Sequence, residues 1–217
     1  MNDVIGKLIS LEGVDGAGKT THLAYLCDYL VKRQVTVLTT REPGGTQVGE
    51  QLRSVLLDAA QPIAPLTELL MMFAARAEHI QKVIRPALLA GTWVLCDRFT
   101  DATYAYQGGG RGIDSQNIEV LEHMTQGSLR PDLTFLLDLP VEVGLRRRHG
   151  LDRSQDRFES QDLEFKQRVR EAYLERYRQC RSRITLVDAS APIDVVHKTI
   201  TIEIENMLSS SGNLDND

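Results

Sequence analysis

A chain of 217 residues with 42% hydrophobic side chains is long enough for one good core, so a single domain over residues 1–208 is expected, with a polar, disordered tail at 209–217. A formal net charge of −5 argues against the broad basic surface that phosphate backbones recruit, and no nucleic-acid partner is expected. Cys27, Cys96 and Cys180 suit neither a disulfide framework nor a zinc site, and no apolar run reaches the length of a signal peptide or membrane span; a cytoplasmic location without membrane contact is expected.

Leu8, Ile9 and Leu11 make Lys7–Glu12 read as a buried strand, and Gly13–Thr20 behind it fits the G-x-x-x-x-G-K-[ST] pattern of a phosphate-binding loop. Leu23, Leu26, Leu30 and Val31 recur at helical spacing, which predicts a helix over Thr20–Arg33. A strand before and a helix after are the context that this motif requires. Gly13, Gly16 and Gly18 let the backbone turn so that successive N–H groups face phosphate oxygens. Lys19 adds a charge in reach of the β- and γ-phosphates, and Thr20 offers a hydroxyl to Mg2+. The expected ATP site is Gly13, Val14, Asp15, Gly16, Ala17, Gly18, Lys19, Thr20 and Thr21.

Val35–Thr40 reads as the next strand and ends in the turn-rich Arg41–Thr46. Val48–Leu57 looks helical, and Pro65–Leu89 looks like a long helix, bent or interrupted, that Gly91 ends before the strand Thr92–Asp97. Leu133–Leu139 has strand character. A polar arm then occupies Arg146–Arg157, followed by a charged helix from Gln161 to about Arg181, the last strand Ile184–Val187 and the last helix Asp194–Leu208. This alternation implies an α/β P-loop NTPase fold, a parallel five-stranded sheet with helices on both faces and a mobile lid. Ligands in such sheets lie beyond the carboxyl ends of the strands, where the loops starting at Gly13, Arg41, Arg98 and Pro140 gather.

Seven motifs in chain order resemble thymidylate kinases of the bacterial type, which are P-loop nucleoside-monophosphate kinases. They are GVDGAGKTT at Gly13–Thr21, TREPGGT at Thr40–Thr46, MFAAR at Met72–Arg76, DRF at Asp97–Phe99, AYQGGGRG at Ala105–Gly112, DRFE at Asp156–Glu159 and VDAS at Val187–Ser190. The resemblance implies ATP-dependent phosphorylation of dTMP to dTDP, on the way to dTTP, with Mg2+ as the metal. It also implies a homodimer formed through helices. No N-K-x-D-type guanine-reading motif occurs, which counts against a GTPase switch; a kinase for another small acceptor is the other reading.

Individual residues carry both a chemical and a plainer reading. Asp97 ends a strand next to the P-loop strand, where it holds Mg2+ through water or merely caps a turn. Arg98 presents a planar fork, and by resemblance grips the acceptor phosphate. Phe73 and Arg76 sit one helical turn apart; the resemblance sets Phe73 against the thymine ring, although a core phenylalanine is the default, and Arg76 at O4. It also assigns Thr103 to the thymine edge, Tyr106 to the sugar and Gln107 nearby. Ala102 replaces a serine of many relatives. The AYQGGGRG segment holds too much glycine for a helix and is expected as a loop that approaches a ligand closely. Asp15 suggests a neutral partner beside the phosphates, by resemblance the acceptor 3′-OH. Arg41, Glu42 and Arg53 are further acceptor candidates, and surface ion pairs look the same in sequence.

The arm RRRHGLDRSQDR resembles the lid that closes over ATP in nucleoside-monophosphate kinases. Gly16 stands where another branch of the family has an arginine, so Arg147, Arg148, Arg153 and Arg157 are the candidates for transition-state charge. The loop Ala189–Pro192 is, by the same likeness, the expected adenine contact.

Overall fold

The computed structural model describes residues 6–148 and 156–212. Strand β1 (Leu8–Glu12) is buried at all five positions, as a central strand covered on both faces must be. Helix α1 (Lys19–Lys32) follows the loop at its end, then β2 (Val37–Arg41) and α2 (Gln47–Leu57), whose first turn is capped by Thr46 accepting from the Gly49 N–H. Next come α3 (Pro65–His79), α4 (Arg85–Leu89), β3 (Trp93–Asp97), α5 (Thr100–Thr103) and α6 (Ser115–Gln126). Strand β4 (Leu133–Asp138), α7 (Val141–Arg148), α8 (Leu163–Gln179), β5 (Ile184–Asp188) and α9 (Ile193–Gly212) complete the chain.

The strands run parallel in the order β2-β3-β1-β4-β5, so the α/β expectation holds. Leu11 stands opposite Asp97 on β3, and Glu12 opposite Leu136 on β4. Alternation along the strands feeds two cores. Ile9, Leu11 and Leu95 join Leu26, Leu30, Ile200 and Ile204 from α1 and α9, while Leu8, Val94 and Cys96 meet Ile80, Ile84 and Leu88.

The expected bend or interruption in Pro65–Leu89 is a π-helical turn at Ile80–Ile84, just before Pro86. Proline has no N–H to donate and crowds the carbonyl four residues back, and a wider turn relieves both. The segment Tyr104–Gly110 is not an open loop but a π-helical continuation of α5. Two of its glycines serve a neighbour: a Cβ on Gly109 would lie 2.4 Å from the Cβ of Ala172, and one on Gly110 2.6 Å from the Phe165 ring, both on α8. Helix α9 runs on to Gly212 instead of ending at Leu208, because extending a formed helix adds a hydrogen bond for each residue fixed. The sequence reading also passed over α6, although Asp114 caps it and Gly127 closes it.

The close approach of the π segment and α8 is testable. Gly109→Ala is expected to cost about 1–3 kcal/mol in denaturant unfolding, the range for overpacking. Gly108→Ala should cost clearly less, since a Cβ there would meet only the tip of Ile118 at 3.3 Å. Equal losses for the two would refute the packing role.

Candidate active site

The loop leaving β1 turns under steric compulsion. At Gly16 the backbone is left-handed (φ 82°), and a Cβ would stand 2.3 Å from the Gly144 carbonyl oxygen of α7. No side chain fits there, which gives the missing P-loop arginine a structural reason. Lys19 opens α1 and folds back, its Nζ donating to the carbonyls of Gly13 (3.1 Å) and Val14 (3.0 Å). Burial, and then the charge of Arg98, lower its pKa to about 8. Thr20 and Thr21 are exposed on the first turn of the helix.

The chain leaving β3 supplies the opposing charges. Asp97 has an Oδ1 that is buried and without a hydrogen-bond partner among the described residues; Arg98 Nη1 stands 3.7 Å away. A hard-cation ligand set of one carboxylate oxygen and one hydroxyl, completed by water and phosphate, suits Mg2+, so Asp97 and Thr20 fit that ion. Arg98 has a left-handed backbone (φ 68°), and its Nη2 donates to Asp15 Oδ1 (2.7 Å) and to Tyr106 Oη (3.2 Å). Within the chain Asp15 is paired with a cation, and the guanidinium is what makes a carboxylate tolerable in this loop.

Asp15, Arg98 and Tyr106 line one cleft that is open to solvent. Asp15 comes from the first loop, Glu42 and Pro43 from the loop after β2, Arg98 and Phe99 from the loop after β3. Arg53 on α2 joins them and donates from Nη1 to the Pro43 carbonyl (2.8 Å). Arg41 lies outside this cleft wall, paired with Glu50. From α3 comes Arg76, 3% exposed, whose Nε donates to Glu42 Oε2 (2.6 Å) and whose Nη2 donates to Thr103 Oγ1 (3.0 Å) and the Phe99 carbonyl (3.3 Å). Its Nη1 is buried with no partner among the described residues. Glu42 therefore holds Arg76, and its second oxygen faces His79.

Two expected roles are corrected. Phe73 does not line the cleft; it is 2% exposed and packs with Leu69, Tyr104 and Ile118. Met72, four residues before Arg76, shares the cleft side of α3 instead, and Phe73 meets Arg76 through its ring face, with the guanidinium carbon 4.9 Å from the centroid. Arg157, a candidate for transition-state charge in the arm, is buried and engaged elsewhere, with Nη1 2.6 Å from Glu68 Oε2 and Nε donating to the Leu56 carbonyl (2.8 Å). Glu68 also accepts from Gln107 Nε2 (2.7 Å) and pairs with Arg111, so Gln107 enters the cleft wall as a tethered side chain.

Tyr106 and Thr103 line the cleft as expected, and Ala102 is there too. Arg147 donates from Nη1 to the Ala189 carbonyl (2.9 Å), tying α7 to the loop after β5. Arg148 ends α7, and Arg153 lies outside the described residues. Besides Met72, the sequence reading missed Asp156 and Phe158 as cleft residues, although the DRFE motif that contains them was visible.

A parallel sheet in the order β2-β3-β1-β4-β5, with GVDGAGKTT at the end of its central strand, is a P-loop NTPase fold. The family model described as thymidylate kinase matches residues 11–200. Among relatives, the thymidylate kinase of Chromohalobacter salexigens is 49% identical over 209 residues, covering 94% of this chain and 98% of its own. That of Neisseria gonorrhoeae is 52% identical over 194 residues, with 89% and 94% covered. The crystal structure of thymidylate kinase from Ehrlichia chaffeensis superposes with a TM-score of 0.76 at 34% identity, covering 92% of this chain and 98% of that one. The chain belongs to the thymidylate kinase family.

The pairing of Arg157 with Glu68 gives a stability prediction. Arg157→Ala leaves a buried carboxylate with fewer donors, a loss of up to about 3 kcal/mol because Arg111 and Gln107 remain. Urea unfolding of the purified variant measures it; an unchanged midpoint would refute a stabilising role for the pair.

Proposed function

We propose that this chain transfers the γ-phosphoryl group of ATP to the phosphate of dTMP, giving dTDP. The observation that carries this reading is Arg76. Arg76, whose buried Nη1 has no partner among the described residues, lines the same cleft as Arg98, so one cleft offers a donor for a base carbonyl and a fork for a phosphate beside the P-loop.

In this mechanism the P-loop N–H groups and the α1 N-terminus hold the ATP phosphates, and Lys19 adds its charge. Arg98, with Arg53 nearby, orients the acceptor phosphate for in-line attack. Asp15 takes the 3′-OH beside Arg98, Tyr106 lies against the sugar, and Thr103, Gln107 and Met72 surround the base. No general base is required, because the attacking phosphate oxygen is already anionic; positioning and charge stabilisation carry catalysis. Thr20 and Asp97 are the residues that would hold Mg2+, which when bound neutralises charge on the β- and γ-phosphate oxygens. Arg147, Arg148 and Arg153 remain the arm arginines proposed to add transition-state charge. The bond from Arg147 to Ala189 supports placing adenine near Ala189–Pro192.

No helix among the described residues is long and apolar enough to cross a membrane, and a cytoplasmic location is part of the proposal. So is a homodimer through α3 and α6. Leu66 and Leu70 on the first and Val120 and Met124 on the second are exposed, and the two helices pack together.

An ADP-release assay across nucleoside monophosphates tests the reaction. dTMP is expected to exceed dUMP in kcat/KM by roughly 10–200-fold, the worth of one methyl in an apolar pocket. Equal turnover of the two would remove the thymine pocket. A pH profile tests Lys19. Its ammonium is present below about pH 8 and lost above it, so kcat/KM for ATP should fall as pH rises through that value. Lys19→Arg keeps the charge and should lack that descending limb, whatever its rate. A limb that persists in Lys19→Arg would belong to another group.

A further inference from the structure

Two side chains behind Arg76 have no part in the reaction described above. His79, the last residue of α3, is wholly buried and stands outside the cleft lining. Its Nδ1 lies 3.0 Å from Glu42 Oε1, and its Nε2 lies 2.7 Å from Thr40 Oγ1 at the end of β2. A carboxylate oxygen accepts here, so Nδ1 carries a proton and donates to Glu42, while Nε2 pairs with the Thr40 hydroxyl. Gly45 packs close to the ring, where a Cβ would stand 2.5 Å from its Nε2 and Cδ2.

Glu42 is thereby gripped at both oxygens by donors from one helix, Arg76 Nε on Oε2 and His79 Nδ1 on Oε1. Arg76 is in turn fixed at Nη2 by Thr103 and Phe99. A guanidinium is planar, so two held nitrogens set the direction of the third. The unpartnered Nη1 is left at one angle, and that angle depends on a chain of contacts from Thr40 through His79 and Glu42.

We propose that His79 is a positioning residue for base selection. It locks Glu42, and Glu42 aims Arg76 Nη1 at the exocyclic 4-carbonyl of the pyrimidine. The proposal rests on the reading of Arg76 as the carbonyl donor. Its chemistry is a difference between ligands. A carbonyl oxygen accepts from Nη1, whereas the 4-amino group of cytosine sets donor against donor. An Nη1 held at one angle enforces that difference. A guanidinium free to swing meets the carbonyl less often and avoids the amino group more easily.

The test compares kcat/KM for dTMP, dUMP and dCMP, the KM for ATP, and thermal melts, in His79→Ala, His79→Asn and Arg76→Lys. Removing a hydrogen bond to a charged group is worth about tenfold, so His79→Ala should raise the dTMP KM and shrink the dTMP:dCMP ratio by about that factor. The dTMP:dUMP ratio and the ATP KM should stay, since uracil carries the same 4-carbonyl. His79→Asn, whose amide nitrogen can take the place of Nδ1, should recover most of the ratio. A buried histidine that merely fills space would lower the melting temperature and leave the ratio alone, and that result would overturn the proposal. If Arg76→Lys collapses the ratio and His79→Ala does not, positioning by His79 fails while the reading of Arg76 stands. If Arg76→Lys leaves the ratio unchanged, the reading of Arg76 fails and the proposal falls with it. Should His79→Ala not fold, Thr40→Val removes only the hydroxyl on Nε2 and should shift the ratio in the same direction by less; no shift would again overturn the proposal.

Discussion

The backbone N–H of Phe99 donates to the buried carboxyl of Glu12 at 2.6 Å, and the geometry of the cleft depends on that contact. Glu12 is the last residue of β1 and Phe99 lies just past β3, so the bond fixes the path of the chain as it leaves the sheet. Arg98 is caught between them. Its own N–H donates to the Leu11 carbonyl (3.0 Å), and its backbone is forced left-handed, a conformation that costs an L-residue about 1–2 kcal/mol. The return is direction: the guanidinium is delivered to Asp15 and Tyr106 instead of to solvent. Tyr173 on α8 meets the other oxygen of Glu12 at 2.8 Å, which ties the same junction to the helix that packs on the π segment. Burial and the nearby charge of Asp101 push the Glu12 carboxyl well above its ordinary range, so the contact is held in a desolvated, high-cost environment. Asp101 itself pairs with Arg176 and Arg183, which offsets part of the cost of a second buried carboxylate beside the first.

Much of this was legible in the sequence because it is written in local rules. A phosphate loop needs its glycines, lysine and threonine at fixed spacing, and a fully covered parallel strand needs an unbroken apolar run. The strands and the loops at their carboxyl ends follow from those two signals. What was not legible depends on which way a helix is turned. Met72 and Phe73 are adjacent, and the sequence offers no sign of which one faces the cleft; the larger aromatic looked like the base-stacking residue, and packing against Tyr104 and Ile118 claimed it instead. The run Tyr104–Gly110 misled for a related reason. Its glycines imply close approach, but only the fold says to what, and the answer is α8. Arg157 sits in an arginine-rich arm where exposure is the natural reading, and only the position of Glu68 across the cleft withdraws it from solvent.

Charge is distributed here against the average. The chain carries a formal −5, yet Lys19, Arg53, Arg76 and Arg98 converge at the carboxyl ends of the strands. Net charge describes solubility, whereas a local cluster of cations against low-dielectric walls sets the field that a phosphate meets. Cations crowded in this way repel one another, and after burial the charge of Arg98 is the next cause that lowers the pKa of Lys19. Asp15 and Glu42 relieve that repulsion by pairing with Arg98 and Arg76. The carboxylates also decide which guanidinium nitrogens remain for other partners.

Helix α3 carries this division of labour furthest. Glu68, Met72 and Arg76 are spaced four apart, so they form one row along the helix, with Met72 and Arg76 at the cleft and Glu68 buried behind it. Glu68 gathers Gln107, Arg111 and Arg157, drawing in the segments on either side of α6 and α7. Met72 gives apolar surface, and Arg76 gives a donor. Leu69 and Phe73, also four apart, form the neighbouring row and anchor the helix against the π segment and α6. Buried ion pairs of this kind add little net stability, since desolvation offsets their attraction. Their effect is to leave few alternatives: with the Leu69–Phe73 row packed and Glu68 occupied, α3 cannot rotate without exposing a charge or a ring. The orientation of Arg76 is thus a property of the whole helix, set two turns away as much as by the residues that touch it.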